Sequence, residues 1–403
     1  MPTLEQRVLT ELLAGEISGK IKLSEELLKT VDWQEVLNEA KAQAVPIMAA
    51  ESAAKYKKYI PDFSDWERTA VQAFSNNYRT ALEEQKLNKI MGSHPFCILK
   101  GMAAASYYPN PKDRCFGDID FLIDNSEKSE IEELLSRNGY KNWDKDHVCH
   151  VVFKKGYADL EMHFEIAGIP YGKPGECVRR FMKSALSETV QSEIDGFIFP
   201  KPKDIYHGVI ILLHMQHHML GEGLGLRHIC DWACFVNKTK NEAFWAQLLD
   251  LFKEIGILTY AEVITKICSV YFHIDCPKWA QNADTQLCDD VMDDVFTSGN
   301  FGRKDETRAK SGMLISEHGK SGTKRGKIAN LFFTLHNTTS AMFPIVKKHP
   351  ILYPAVDFYR VLLYAARTVK GERTSLFKML PMANERKSIY KRLHLFETEN
   401  DGE

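Results

Sequence analysis

No Cys-x-x-Cys pair occurs in this chain, and its nine cysteines, at positions 97, 115, 149, 177, 230, 234, 268, 276 and 288, are scattered. An odd, unpatterned set argues against a disulfide framework and for reduced, mostly buried thiols. Long apolar runs are missing too. The most apolar stretch, Val209–Leu213, is bounded by His207 and His214, well short of the ~18–20 residues a membrane-spanning helix needs. Residues 1–15 mix Glu5, Arg7 and Glu11 with their leucines and do not read as a secretory leader. A cytoplasmic location without a membrane partner is expected. Neither sign of charge dominates: 52 Lys and Arg face 54 Asp and Glu, a net −2. The chain as a whole is therefore drawn neither to nucleic acid nor to anionic lipid, and any electrostatic site must be local. No repeat suggests a solenoid.

At 403 residues, 44% apolar and 26% charged, the sequence is that of a globular protein with two or three domains. Five regions are expected. Residues 1–90 read as helical; Ser64-Asp65-Trp66-Glu67 has a capping-box pattern, and Trp66, Ala70, Phe74, Tyr78 and Ala81 follow at helical spacing. Residues 91–200 mix short strands (Phe96–Leu99, Ile119–Ile123, Val148–Phe153, Ala158–Ile166) with a helix over Glu127–Arg137 closed by Asn138-Gly139. Residues 201–298 return to helices, with Asp204 placed to cap Ile205–Leu220 and a second helix over Leu226–Val236. Residues 299–328 read as a basic loop, with eight Lys/Arg against three Asp/Glu between Gly299 and Lys327. Phe301 is its only evident base-stacking aromatic, so no clear nucleic-acid footprint emerges. Residues 329–403 close the chain with apolar helices over Leu331–Phe343 and Leu352–Ala366. The fold class is α+β: a small mixed sheet with helices, flanked by helical N- and C-terminal regions.

The chemistry concentrates in Gly117-Asp118-Ile119-Asp120-Phe121-Leu122-Ile123. Asp118 and Asp120 share one strand face, and aspartate is disfavoured in strands, so the pair needs a compensating partner. A divalent cation bound to hard oxygens supplies one; two solvated aspartates at a strand edge are the alternative. Seventeen residues earlier, Lys100-Gly101 turns a strand into a helix, where backbone N–H groups and the lysine can seat phosphates. Asp159, Glu161 and His163 alternate on a later strand. Glu161 is the preferred third carboxylate and Asp159 the reserve; His163 either positions substrate or makes a structural hydrogen bond. Arg114 either clamps phosphate or pairs with an aspartate to order its loop.

These residues resemble the nucleotidyltransferases of the DNA polymerase β-like superfamily, and within it an uncharacterised bacterial branch. The resemblance rests on Lys100-Gly101, Tyr108-Pro109, Arg114, Gly117-Asp118-Ile119-Asp120, Asn138-Gly139-Tyr140 and Glu161-Met162-His163. It continues through His214, His218, Arg227, Asp231 and Gly299-Asn300-Phe301-Gly302, covering roughly residues 90–370. It implies a polymerase-β-like core that moves a nucleoside monophosphate from an NTP to an unidentified acceptor: a small molecule, a protein or an RNA. Mg²⁺, or Mn²⁺ in its place, would sit on Asp118, Asp120 and Glu161. Lys100, Gly101, Arg114 and Gly117 would bind the nucleotide, and His163, His214, His218, Arg227 and Asp231 would line the substrate site. One departure stands out: the superfamily usually has Gly-Gly or Gly-Ser where this chain has Gly101-Met102.

Two other readings stand beside this one. The same fold could bind a nucleotide or a partner without catalysis, which Met102 would favour. Alternatively, the helical histidines His207, His214 and His218 could form the metal site of a hydrolase. Arg227 and Asp231, four residues apart, could pair on one helix.

Overall fold

The computed structural model describes residues 2–144, 149–170, 172–304, 345–369 and 386–395, with Thr339 and Phe343. Helices α1 (Leu4–Ser18), α2 (Glu25–Thr30), α3 (Trp33–Ala42), α4 (Pro46–Ala54) and α5 (Ser64–Met91) come first. Thr3, Ser24 and Asp32 cap the first three through their side chains. The capping box expected at Ser64 does not form. Asp62 takes the Ser64 N–H at 2.9 Å, so the helix starts one residue early, with Phe63 at the cap position.

The central sheet has the order β1-β2-β5-β4-β3. Its strands are β1 (Phe96–Ile98), β2 (Ile119–Ile123), β3 (Lys141–Asp144), β4 (His150–Lys155) and β5 (Ala158–His163). Only β2 and β5 pair in parallel; the other neighbours are antiparallel. Between β1 and β2 lies a short helix, α6 (Met102–Ala105), and between β2 and β3 lies α7 (Lys128–Arg137). Helix α8 (Lys173–Met182) and a separate hairpin, β6 (Thr189–Ile194) with β7 (Phe197–Pro202), follow. The hairpin turns on Asp195-Gly196, both at positive φ, as a type I′ turn requires.

Alternation in the strands separates two hydrophobic cores. Ile119, Phe121 and Ile123 of β2, with Leu160 and Met162 of β5, face one core, which Ile131 and Leu135 of α7 complete. Cys97, Leu99 and Leu122 point the other way, into a larger core built from α1, α3 and α4 together with α9 (Asp204–Leu220), α10 (Leu226–Lys238), α11 (Glu242–Glu254), α12 (Leu258–Phe272) and α13 (Thr285–Ser298). Residues 1–90 and 201–298, expected as separate regions, thus share one core. Helix α5 reaches both: Trp66 enters the helical core, and Ala81, Leu87 and Met91 enter the sheet core. Between them the helix rotates outward. Phe74 and Tyr78, expected on the buried stripe, are exposed, Tyr78 resting edge-on against Phe197.

None of the nine cysteines is in a disulfide, and eight are buried. No helix among the described residues is long and apolar enough to cross a membrane. A helix over Tyr353–Val369 stands where one was expected at Leu352–Ala366. Beyond Lys304, the expected basic loop and the helix over Leu331–Phe343 lie outside the described residues, apart from Thr339 and Phe343.

Candidate functional site

Parallel pairing sets the site. The β2–β5 register places Asp120 beside Glu161, and alternation turns both toward the helical core, with His163 on the same face. His163 Nε2 lies 3.1 Å from Asp120 Oδ1 and 3.5 Å from Glu161 Oε2. Lys100, following β1, reaches Asp120 Oδ1 at 2.5 Å. Burial would raise the Asp120 carboxyl, but Lys100 and His163 outweigh it and hold it well below the usual carboxylate range. Burial opposes charge on His163 as well, yet hydrogen bonds to Asp120, Cys149 and Glu161 push it up to about 10, so it is an imidazolium at neutral pH. Asp118, just before β2, reaches the surface. Partial burial, then repulsion from Asp120 and Glu161, raises it to about 6. Asp159 pairs instead with Lys154 at 2.8 Å on β4, leaving Glu161 as the acid beside Asp120.

Gly101 sits at φ 51°, ψ −119°, a backbone conformation essentially reserved for glycine. The helix it opens is only four residues long, so few aligned peptides add to its N-terminal dipole. The expected phosphate seat at a helix N-terminus is therefore weak. Met102 is fully buried in the sheet core. Its side chain packs away from the site, so the departure from Gly-Gly or Gly-Ser does not block the turn.

Behind the turn, α5 buries Glu84, whose Oε1 has no hydrogen-bond partner. Burial pushes its carboxyl up to about 8. With the folded value above the unfolded value of 4.5, Glu84 is not destabilising below about pH 4.5, and stability falls as pH rises from there to about 8. Glu84→Gln is expected to match the wild type at pH 4 and exceed it by a few kcal/mol at pH 9. Urea unfolding at the two pH values checks this.

Arg114 takes the second of its two readings. Its Nε and Nη2 donate to the two oxygens of Asp231 at 2.7 and 2.8 Å, all of it buried. Tyr108 donates to Asp231 Oδ1 at 2.7 Å. Asn77 of α5 bridges the same loop, donating to the Arg114 carbonyl and accepting from the Phe116 N–H, each at 2.7 Å. These bonds fasten the segment leading into Asp118 to α5 and α10. Asp231 is thereby committed to Arg114. The expected Arg227–Asp231 helix pair is absent, because Asp231 turns both oxygens toward the bidentate partner.

His207 is likewise structural: Nδ1 lies 2.9 Å from the Tyr107 hydroxyl and Nε2 2.9 Å from the Leu99 carbonyl. The expected His207–His214–His218 metal set does not assemble. His214 and His218 instead meet His228 of α10, with potential ligand atoms within 4.8 Å of one another. Asp120, Glu161 and His163 form a second such group, and Cys149, His150 and His163 a third.

Two spaces meet at Gly117 and Asp118. A small inner cavity of about 50 Å³ lies between Lys100, Gly101 and Asp120 on one wall and His214, Arg227 and His228 on the other, with Phe301 beside it. A larger groove of about 620 Å³ opens outward between α5 and the β4–β5 turn. Residues 29–273 match the family described as uncharacterised nucleotidyltransferase, which spans more than half of the chain. The chain belongs to this nucleotidyltransferase family. Comparison with curated proteins and with solved structures gives no match.

The part of this nucleotidyltransferase matched by the family includes every carboxylate of the sheet site together with Arg227 and His228; Phe301 falls beyond it. Sequence reading missed His228 as a wall of the cavity, Asn300 as the residue packed on Gly225 at the start of α10, and Glu84 as the acid behind Gly101. A signal existed only for the turn, Gly299-Asn300-Phe301-Gly302. The pairing of α9 with α10 that gathers the histidines has no local signature.

Proposed function

We propose that this nucleotidyltransferase moves a nucleoside monophosphate from an NTP to a hydroxyl-bearing acceptor, releasing pyrophosphate as the bond between the α- and β-phosphates breaks, with Mg²⁺ or Mn²⁺ on Asp118, Asp120 and Glu161. The carrying observation is the in-register Asp120–Glu161 pair, with Asp118 at the junction of the inner cavity and outer groove. The donor set fits a hard divalent cation: three carboxylates on one side of the sheet, with Asp120 and Glu161 near enough to add to the burial that raises Asp118 to about 6. Such an ion, when bound, offsets phosphate charge and makes an acceptor hydroxyl easier to deprotonate. Glu161 accepts the acceptor proton. His163, an imidazolium held between Asp120 and Glu161, fixes the orientation of both carboxylates. Lys100 holds Asp120 from the other side and supplies positive charge where phosphates enter. The outer groove is large enough for a nucleoside or an acceptor. Met102, packed into the core, removes the main argument for a non-catalytic protein.

Thermal unfolding with each of the four NTPs and Mg²⁺ tests the proposal. At 100 times its Kd a ligand stabilises the fold by about 2.7 kcal/mol. A Mg²⁺-dependent rise with an NTP, lost in Asp118→Asn, is expected. A rise that needs no metal and survives the substitution would support nucleotide binding without catalysis. No rise with any NTP would overturn the donor assignment.

A further inference from the structure

We infer that Arg227 and His228 form an anion seat in the inner cavity that receives the terminal phosphates of the donor. The inference deepens the nucleotidyl-transfer reading and rests on it for the identity of the ligand.

Arg227 is a half-buried cation, its Nε shut off from solvent, whose carboxylate neighbour has been taken. Asp231, one turn along α10, gives both oxygens to Arg114, and Arg227 has no ion pair among the described residues. Its Nε has no acceptor, and its guanidinium lies 5.2 Å from the Phe301 ring. The other end of the guanidinium reaches toward the site: Nη1 would lie 3.7 Å from a Cβ placed on Gly117. A guanidinium with no ion pair and an Nε shut off from water carries a desolvation cost, which an anion in the cavity offsets.

His228 supplies a neutral donor beside it. Its Nδ1 accepts the Gly225 N–H at 3.3 Å, and burial keeps the ring neutral. The proton therefore resides on Nε2, which is buried and has no acceptor. A nitrogen that carries a proton cannot ligate a metal. This argues against a metal on the His214–His218–His228 group, as do the cations Lys100 and Arg227 nearby.

Unsatisfied polar atoms concentrate here. Of eleven buried side-chain polar atoms without partners among the described residues, three belong to His214, Arg227 and His228, which line the cavity, and two to Asn300 beside Gly225. Such atoms are rare in folded proteins and point to a missing partner. Asn300 is held against α10 by a close approach, since a Cβ on Gly225 would fall 2.6 Å from the Asn300 Cβ. At about 50 Å³ the cavity is of a size for a phosphoryl group and far smaller than the outer groove of about 620 Å³. Its other wall carries Lys100, Asp118 and Asp120, so a phosphate there lies next to the carboxylate site. The four-residue helix after Gly101 offers little competing charge.

The test is calorimetric titration of the full chain with Mg²⁺ present, using NTP, the matching NMP and inorganic pyrophosphate as separate ligands. Arg227→Met and His228→Phe are compared with the wild type. Loss of a charge-assisted contact is expected to weaken NTP and pyrophosphate by about 10- to 100-fold in Arg227→Met. His228→Phe should weaken them by about 3- to 10-fold. NMP affinity should stay unchanged in both. Equal weakening of all three ligands, or none, would overturn the seat. So would stoichiometric Co²⁺ binding that is lost in His228→Phe. If Arg227→Met does not fold, His228→Phe and Arg227→Lys carry the test, the lysine variant retaining part of the pyrophosphate affinity. Pyrophosphate binding that depends on Arg227, in a protein that binds no NTP, would uphold the seat and overturn the nucleotidyl-transfer reading. NTP binding indifferent to both residues would do the reverse.

Discussion

Asp118→Asn is expected to lower nucleotidyl transfer by ~10³-fold while leaving the fold intact. The two effects separate because of where Asp118 sits. It reaches the surface just before β2, and its carboxyl is already raised to about 6 by partial burial and by Asp120 and Glu161. Because the folded value lies above the unfolded one, ionised Asp118 costs stability at pH 7, and asparagine removes that cost. The gain stays under ~1 kcal/mol, because water screens an exposed carboxylate. Asp120→Asn should lose activity and stability together. Asp120 is buried under Lys100 and the His163 imidazolium, and neutralising it strands both cations, at a cost of ~3–5 kcal/mol. Turnover of radiolabelled NTP beside urea unfolding of both variants makes the comparison. A stable, fully active Asp118→Asn would sink the metal-site assignment.

Asp231→Ala is expected to cost ~3–5 kcal/mol of stability. It leaves the Arg114 guanidinium buried without its bidentate partner and takes the acceptor from Tyr108. Arg114→Met should cost a similar amount by stranding Asp231. Because each single change leaves one uncompensated charge, the double variant Arg114→Met with Asp231→Leu should recover most of the loss. Activity should follow a different course. The loop through Arg114 and Phe116 is tied to Asn77 and leads straight to Asp118. The double variant keeps those backbone bonds and should regain transfer along with stability. Denaturant unfolding and turnover of the three variants test the coupling. Additive losses would mean that Arg114 and Asp231 act independently, against the buried geometry.

Much of the site was legible because it is written in periods and punctuation. Asp118 and Asp120 two residues apart, and Glu161 and His163 two apart, each declare a shared strand face. Gly101 at the end of an apolar run declares a turn, and its positive φ bears that out. The β6–β7 hairpin left an equally plain signal in Asp195-Gly196, which the sequence reading passed over. Some local readings also failed for local reasons. Asp62 outcompeted Ser64 for the start of α5 because it lies two residues before the N–H it accepts.

What the sequence by itself determined is the α+β class, the in-facing acids and the glycine turn. All are properties of neighbours along the chain, set by steric periodicity and turn chemistry. The tertiary structure alone decided partnership. It gave Asp231 to Arg114, 117 residues away, instead of to Arg227 on its own helix. It set Glu161 rather than Asp159 beside Asp120 through the β2–β5 register, buried Met102, and brought His228 to His214 and His218. Each of these depends on which elements pack together. A charged side chain taken out of water must find its compensation wherever the fold brings an opposite charge, and sequence spacing carries no record of that meeting.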